Sequence, residues 1–336
     1  MKNILIDMPV EAAALEHLRS IPGLNVRLIE PKEESRPLSA DIIGDVHILF
    51  CTFPPENISE MKCLELIQIS TAGYSQLYNL RLAEKGVRAC NALGIYDVPI
   101  AEWNLAMMVN LARDLRGMIR NQEAQIWDRA AVFQREIRGL TVGIWGYGGI
   151  GRETARLAKA LGMSVHVRSR NGISRRTNTY HVPGVGDPEG VLPDRVFLRG
   201  QELEFLANLD FLILATPLTK TTEGMISERE LRAVPRTAFV LNPARGPLIR
   251  EAALLQALRE GWIAGAALDT HYYYPMSADH PLWRFPNVIM TPHISGSSLS
   301  PHTLDRSWDV FIQNVERYTS DDTLLNELTA TQLNGE

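Results

Sequence analysis

The chain has 336 residues, with 34 Lys and Arg against 39 Asp and Glu, for a formal net charge of −5. A composition of 45% apolar and 22% charged residues is that of a globular chain rather than a disordered or fibrous one, and the length allows about two domains. The mild acidity argues against a general nucleic-acid or anionic-membrane binder, no apolar run approaches a membrane span, and the N-terminal run is broken at Asp7, too early for a secretory signal.

Short β-branched runs alternate with amphipathic stretches along the chain. Residues 4–6, 46–50, 66–69 and 87–89 read as strands. From about residue 100 to 119 a helical pattern carries Trp103, Leu105, Met107, Met108, Leu111, Leu115 and Met118. That stripe either stays inside its own chain or faces a second subunit. Strand patterns return at 141–145, 164–168, 211–215, 238–241, 263–268 and 288–290, and a helix is predicted over 301–318 from the spacing of Leu304, Trp308, Phe311 and Val315. Near-continuous apolar strands separated by helices predict an α/β protein of doubly wound parallel sheets. Residues 171–200, rich in Gly and Pro, fit neither period, and a connection this long is predicted to be functional or mobile. Cys51, Cys63 and Cys90 show no ligand spacing, so they read as small core residues in a reducing, cytoplasmic setting, with no metal site expected.

The strand at 141–145 runs directly into Gly146-Tyr147-Gly148-Gly149-Ile150-Gly151 and then into a helix pattern. Glycines at those places permit a tight turn, a close approach of pyrophosphate to the backbone, and close helix–strand packing, so the loop is expected to bind a dinucleotide. The next strand ends in Arg168-Ser169-Arg170, where an NAD site places an acid for the ribose 2′-OH. Two guanidinium groups and a hydroxyl suit a 2′-phosphate instead, so NADP(H) is the expected cofactor with NAD(H) possible; two solvated surface arginines would give the same string.

Seven strings occur in order: STAGYSQL, IAEWNLAMMVNLAR, GYGGIG, ATPLTKTTEGMI, LNPARGPLI, AGAALD and TPHISGSS. Together they resemble the D-2-hydroxyacid dehydrogenase family, which includes glyoxylate/hydroxypyruvate reductases, phosphoglycerate dehydrogenases and formate dehydrogenases. The resemblance implies a flavodoxin-like substrate domain built from residues 1–98 and 297–336, a Rossmann cofactor domain at 99–296, an active site in the cleft between them, and a homodimer. It implies that Arg245 binds the carboxylate and keto oxygen of a small-molecule substrate and that His293 is the general acid/base. Ala72, Gly73 and Tyr74 are then the loop that holds the substrate carboxylate, and Thr216, Pro217, Thr222, Pro243, Ala244 and Asp269 line the cofactor site.

One position departs from the family. The glutamate that partners the catalytic histidine is expected at position 274, where this chain has Tyr274 followed by Pro275. Formate dehydrogenases also lack it, which makes a formate dehydrogenase-like enzyme one alternative; a cofactor-sensing binding protein, as in the C-terminal-binding-protein corepressors, is another. Tyr274 is read as a catalytic-site residue that orients His293 by a hydrogen bond without adding charge, so His293 is expected to titrate low. Asp269 or Asp279 is the competing substitute for the missing acid.

Overall fold

The structure, a computed structural model, describes residues 1–130 and 134–334. It divides into two compact units, Met1–Tyr96 with Thr177–Pro183 and Ser298–Glu336, and Asp97–Arg176 with Gly184–Ser297.

The first unit holds β1 (Lys2–Asp7), β2 (Leu24–Leu28), β3 (Ile48–Cys51), β4 (Leu66–Ile69) and β5 (Arg88–Cys90), all parallel, in the order β2-β1-β3-β4-β5. This is a flavodoxin-like order. β3 and β4 are buried at every residue, as a sheet covered on both faces requires. The C-terminal helix Pro301–Thr319 presents Trp308, Phe311 and Val315 to Ile4, Ile6 and Phe50. Phe311 stacks on Phe50 at 4.3 Å, and Trp308 meets Phe50 edge-on at 5.6 Å. Each such ring contributes up to about 3 kcal/mol by leaving water. Buried amides fix where the helix lands: Asn314 donates to Gln68 Oε1 at 2.8 Å and accepts from Leu325 N–H at 2.7 Å.

The second unit holds β6 (Thr141–Trp145), β7 (Ser164–Arg168), β8 (Arg195–Phe197), β9 (Phe211–Leu214), β10 (Phe239–Asn242), β11 (Gly265–Leu268) and β12 (Val288–Met290), again all parallel, in the order β12-β11-β10-β9-β6-β7-β8. The order in which successive strands are added reverses between β6 and β9, and such a switch point opens a crevice outside the carboxyl ends of the strands. The helix Asp97–Ala112 packs on the helix Gly149–Ala160, and Asn104 donates to Thr154 Oγ1 between them at 3.0 Å.

Four expectations need correction. β2 and β8 are absent from the sequence reading; both are sheet edges, and half-exposed strands such as Leu-Asn-Val-Arg-Leu lack the continuous apolar run of central ones. The long helix is two, Asp97–Ala112 and Leu115–Glu123, because Asp114 turns left-handed at φ 45° and its carboxylate caps the second helix at Gly117 N–H. Residues 171–200, which fit neither period in sequence, do hold secondary structure: they include β8, and Tyr180 is buried with its hydroxyl donating to Asp309 at 2.9 Å. Cys51 and Cys90 are core residues whose thiol pKa burial raises, but Cys63 is exposed.

Candidate active site

The loop after β6 meets each steric demand of a pyrophosphate-binding turn. Gly146 sits at φ 101°, where a Cβ would also lie 2.5 Å from the Ala215 carbonyl oxygen. At Gly151 a Cβ would stand 2.6 Å from the Gly146 carbonyl oxygen, so glycine lets the helix lie against the turn. Gly148, the N-cap of the helix Gly149–Ala160, has nothing within 4 Å of where a Cβ would be. That open face adjoins first-turn N–H groups with no intrahelical acceptor, at the positive end of the helix dipole. The residues therefore fit a bound dinucleotide.

The loop is braced from outside. A Cβ at Gly149 would run into the carboxylate of Asp97, which is buried and paired with Arg176 at 3.4 Å. The Tyr147 hydroxyl donates to Asp187 at 2.7 Å, and Arg152, buried, donates to the carbonyls of Tyr147, Ser174 and Asp187. Burial alone would raise the Asp187 carboxyl, but donors from Leu192, Tyr147 and Val191 outweigh it and hold the pKa low. The brace comes from residues 171–200. Ile150, half-buried, follows Gly149 in the first helical turn.

At the end of β7, Arg168 lies over the Trp145 ring at 5.1 Å and is ion-paired with Glu202, the first residue of the short helix Glu202–Leu206. Ser169 donates its hydroxyl to the Gly172 carbonyl at 2.6 Å, and Arg170 is exposed. Beyond β9, Thr216 is half-buried and Pro217 exposed, while the Thr222 hydroxyl donates to the Pro217 carbonyl at 2.8 Å and closes their loop.

Arg245 follows β10 on a turn braced by the buried Asn242, which accepts from Ala244 N–H at 3.1 Å and donates to the Arg245 carbonyl at 2.9 Å; Pro243 between them is buried. His293 follows β12 with its backbone left-handed at φ 58°. Asp269, fully buried at the end of β11, holds that turn. Its carboxylate accepts from Thr291 Oγ1 and Ser295 Oγ at 2.5 Å, from Ile294 N–H at 2.9 Å and from Ser295 N–H at 3.1 Å, and its carbonyl accepts from His293 N–H at 2.8 Å. With four donors already engaged, the Asp269 carboxylate works as the anchor of the histidine loop.

Among the described residues none hydrogen-bonds the His293 ring. The Tyr274 ring faces it at 5.6 Å and 57°, while the Tyr274 hydroxyl accepts from the backbone N–H of His271 at 3.2 Å. The hydrogen bond from Tyr274 to His293 expected from sequence is therefore replaced by a ring contact. Asp279 is exposed and bonded to Ser277, so it does not stand in for the missing acid. Although His293 keeps access to solvent, surrounding protein atoms disfavour its charged form; Arg245 and His271 push the same way, Asp269 opposes them, and the pKa falls below the ordinary histidine value. Buried His271 donates its Nε2–H to the Thr291 carbonyl at 2.8 Å, a second tie on the loop.

In the first unit the loop after β4 has its carbonyls turned inward. Ala92 N–H donates to the Thr71 carbonyl at 3.0 Å, Asn91 Nδ2 to that of Ala72 at 2.8 Å, and Thr71 Oγ1 to that of Gly73 at 2.7 Å. In a trans peptide the N–H points opposite the preceding C=O, so the N–H groups of Ala72, Gly73 and Tyr74 each point away from the donor that holds the carbonyl before them.

Asp97, Glu202 and His271 are the members that sequence reasoning missed. Asp97 and Glu202 stand 52 and 34 positions from the residues they brace, Gly149 and Arg168, and nothing in local spacing signals such a pairing.

The model of the D-isomer specific 2-hydroxyacid dehydrogenase NAD-binding domain matches residues 105–295. A putative 2-hydroxyacid dehydrogenase of Haemophilus influenzae is 31% identical over 80% of this chain and 81% of its own length. A glyoxylate reductase of Thermofilum pendens is 30% identical over 70% of this chain and 67% of its own. The crystal structure of a D-isomer specific 2-hydroxyacid dehydrogenase family protein from Aeromonas salmonicida superposes with a TM-score of 0.79 over 98% of this chain and 99% of that one, at 25% identity. With two parallel-sheet units, a glycine cradle and a matching family model in agreement, the chain belongs to the D-isomer specific 2-hydroxyacid dehydrogenases, oxidoreductases that act on CH–OH donors.

Proposed function

We propose that the protein interconverts small 2-keto acids and D-2-hydroxy acids, working chiefly as an NADPH-preferring reductase of the glyoxylate/hydroxypyruvate type. The observation that carries this reading is that Arg245, after β10, and His293, after β12, both leave the carboxyl ends of strands in the sheet that carries the glycine cradle, and Arg245 is among the charges that lower the His293 pKa. Arg245 binds the carboxylate and the keto oxygen and stabilises the charge that develops on that oxygen. His293 gives its proton to the same oxygen in reduction and takes it back in oxidation. A bound nicotinamide supplies or accepts the hydride. The N–H groups of Ala72, Gly73 and Tyr74 suit a carboxylate, and Arg168, Ser169 and Arg170, a strand end with no acid of its own in sequence, favour a 2′-phosphate.

The test mixes purified protein with NADPH or NADH and a panel of 2-keto acids and follows nicotinamide absorbance. Turnover of glyoxylate or hydroxypyruvate with higher kcat/KM for NADPH is expected. Equal efficiency with both cofactors removes the preference, turnover of formate points to the formate enzymes, and tight binding without turnover on any acid leaves a sensor. The same reading includes a homodimer in the cytoplasm, supported by the exposed apolar residues Leu115, Met118, Ile119 and Trp127 and by three free thiols. Light scattering at the mass of one chain removes the dimer.

A further inference from the structure

The strand end that lacks an acid in sequence has one in space. Glu202 reaches Arg168 from the first position of the short helix that follows β8, and only about a quarter of its side chain and less of Arg168's is exposed. Burial alone would raise the Glu202 carboxyl, yet the Arg168 guanidinium and the N–H groups of residues 202 and 200 hold it below the ordinary carboxylate range, so it is a charged partner. Arg168 is stacked on Trp145, the residue just before Gly146, so the pair stands beside the phosphate cradle. The β7–β8 register, Arg168 opposite Phe197, carries both chains onward to this edge, with Ser169 N–H donating to the Phe197 carbonyl at 3.0 Å.

A doubly charged 2′-phosphate arriving at Arg168 meets a guanidinium whose Nη2 already holds a carboxylate, and that carboxylate is of like sign to the phosphate. A ribose 2′-OH meets an acceptor instead, the role that a strand-end acid plays in NAD sites. We propose that Glu202 sets the discrimination between NADP(H) and NAD(H) by competing with the 2′-phosphate for Arg168. The proposal rests on dinucleotide binding in the second unit, and it concerns the size of the preference rather than its existence.

Binding is measured directly, without substrate, by calorimetric titration of NADPH and NADH into the full chain, Glu202→Gln, Arg168→Ala and the double variant. Glu202→Gln should raise NADPH affinity by about tenfold to a hundredfold, the scale of one charge-assisted contact, while NADH affinity does not rise. Glu202→Asp, shorter but still charged, should fall between and guards against a fold defect in the glutamine variant, as does a thermal melt. In the Arg168→Ala background the gain from removing Glu202 should shrink by more than half. An unchanged or lowered NADPH/NADH affinity ratio in Glu202→Gln overturns the proposal, and so does a gain that persists in full without Arg168, which is simple repulsion. Binding of neither dinucleotide to the unmodified chain overturns the cofactor reading and this proposal together; a ratio unmoved in a chain that binds both overturns this proposal alone.

Discussion

The glycine cradle and the proposed catalytic residues Arg245 and His293 lie in the same unit, but they are made in different ways. At Gly146, Gly148 and Gly151 function rests on what a side chain would obstruct: a carbonyl at 2.5 Å, open space, and a carbonyl at 2.6 Å. At each place the absence of a side chain is the requirement, and glycine meets it whatever the neighbour is. At His293 the residue type says only that a proton can move near neutral pH. Direction and timing come from Arg245, His271, Asp269 and Tyr274, which arrive on separate loops. Steric sites are written locally, whereas electrostatic sites are written in the assembly.

The largest effect separates chemistry from scaffold. His293→Asn keeps a residue that tolerates the left-handed backbone at φ 58° but removes the proton donor. We expect kcat for keto-acid reduction to fall by about 10²- to 10⁴-fold, the usual worth of a general acid, with NADPH affinity and melting temperature nearly unchanged. A large fall in melting temperature would place His293 in the scaffold of the loop and blur the contrast with the cradle.

Within the cradle Gly151 and Gly148 should respond unequally. Gly151→Ala forces a methyl against backbone that has no room to yield, with an expected loss of about 1–3 kcal/mol of stability in a denaturant titration. Gly148→Ala faces open space and should lose less than about 1 kcal/mol, chiefly from a poorer N-cap, yet weaken NADPH binding at least tenfold because the methyl takes the ligand's space. Equal stability losses in the two variants would mean that Gly148 is structural.

The same division decides what the sequence reveals. Central strands such as β9, buried at all four residues, stand out as apolar runs, while the edges β2 and β8 do not. The break at Asp114 depends on one left-handed residue inside an otherwise helical pattern, which periodicity cannot register. At the site, the glycines, Arg245 and His293 are marked by residue type and motif. Glu202 is not, because its meaning depends on β8 pairing with β7, and the direction of the Tyr274 hydroxyl is not, because the His271 N–H that it accepts from is fixed by the fold.

The smallest effect concerns Tyr274 and sharpens the electrostatic half of the comparison. His293 is held below the ordinary histidine pKa by the protein around it, then by Arg245 and His271, against Asp269. Reduction needs the imidazolium, so its rate should fall as pH rises through that lowered value, while oxidation, which needs the neutral ring, should persist across neutrality. Tyr274→Glu sets a carboxylate where a neutral ring now faces His293; the charged form gains, and the reductive limb should move up by about one pH unit. Tyr274→Phe removes only a hydroxyl turned toward His271 N–H, so the limb should stay in place and the rate change by a few-fold at most. Asp269→Asn should move the limb the other way, downward, because it deletes the one group that opposes the shift. Four donors also lose their charged acceptor there, so its melting temperature should drop along with the limb, a double signature absent from both Tyr274 variants. A reductive profile unmoved by Tyr274→Glu would mean that the position lies beyond electrostatic reach of the imidazole and that Asp269 alone supplies its negative neighbour.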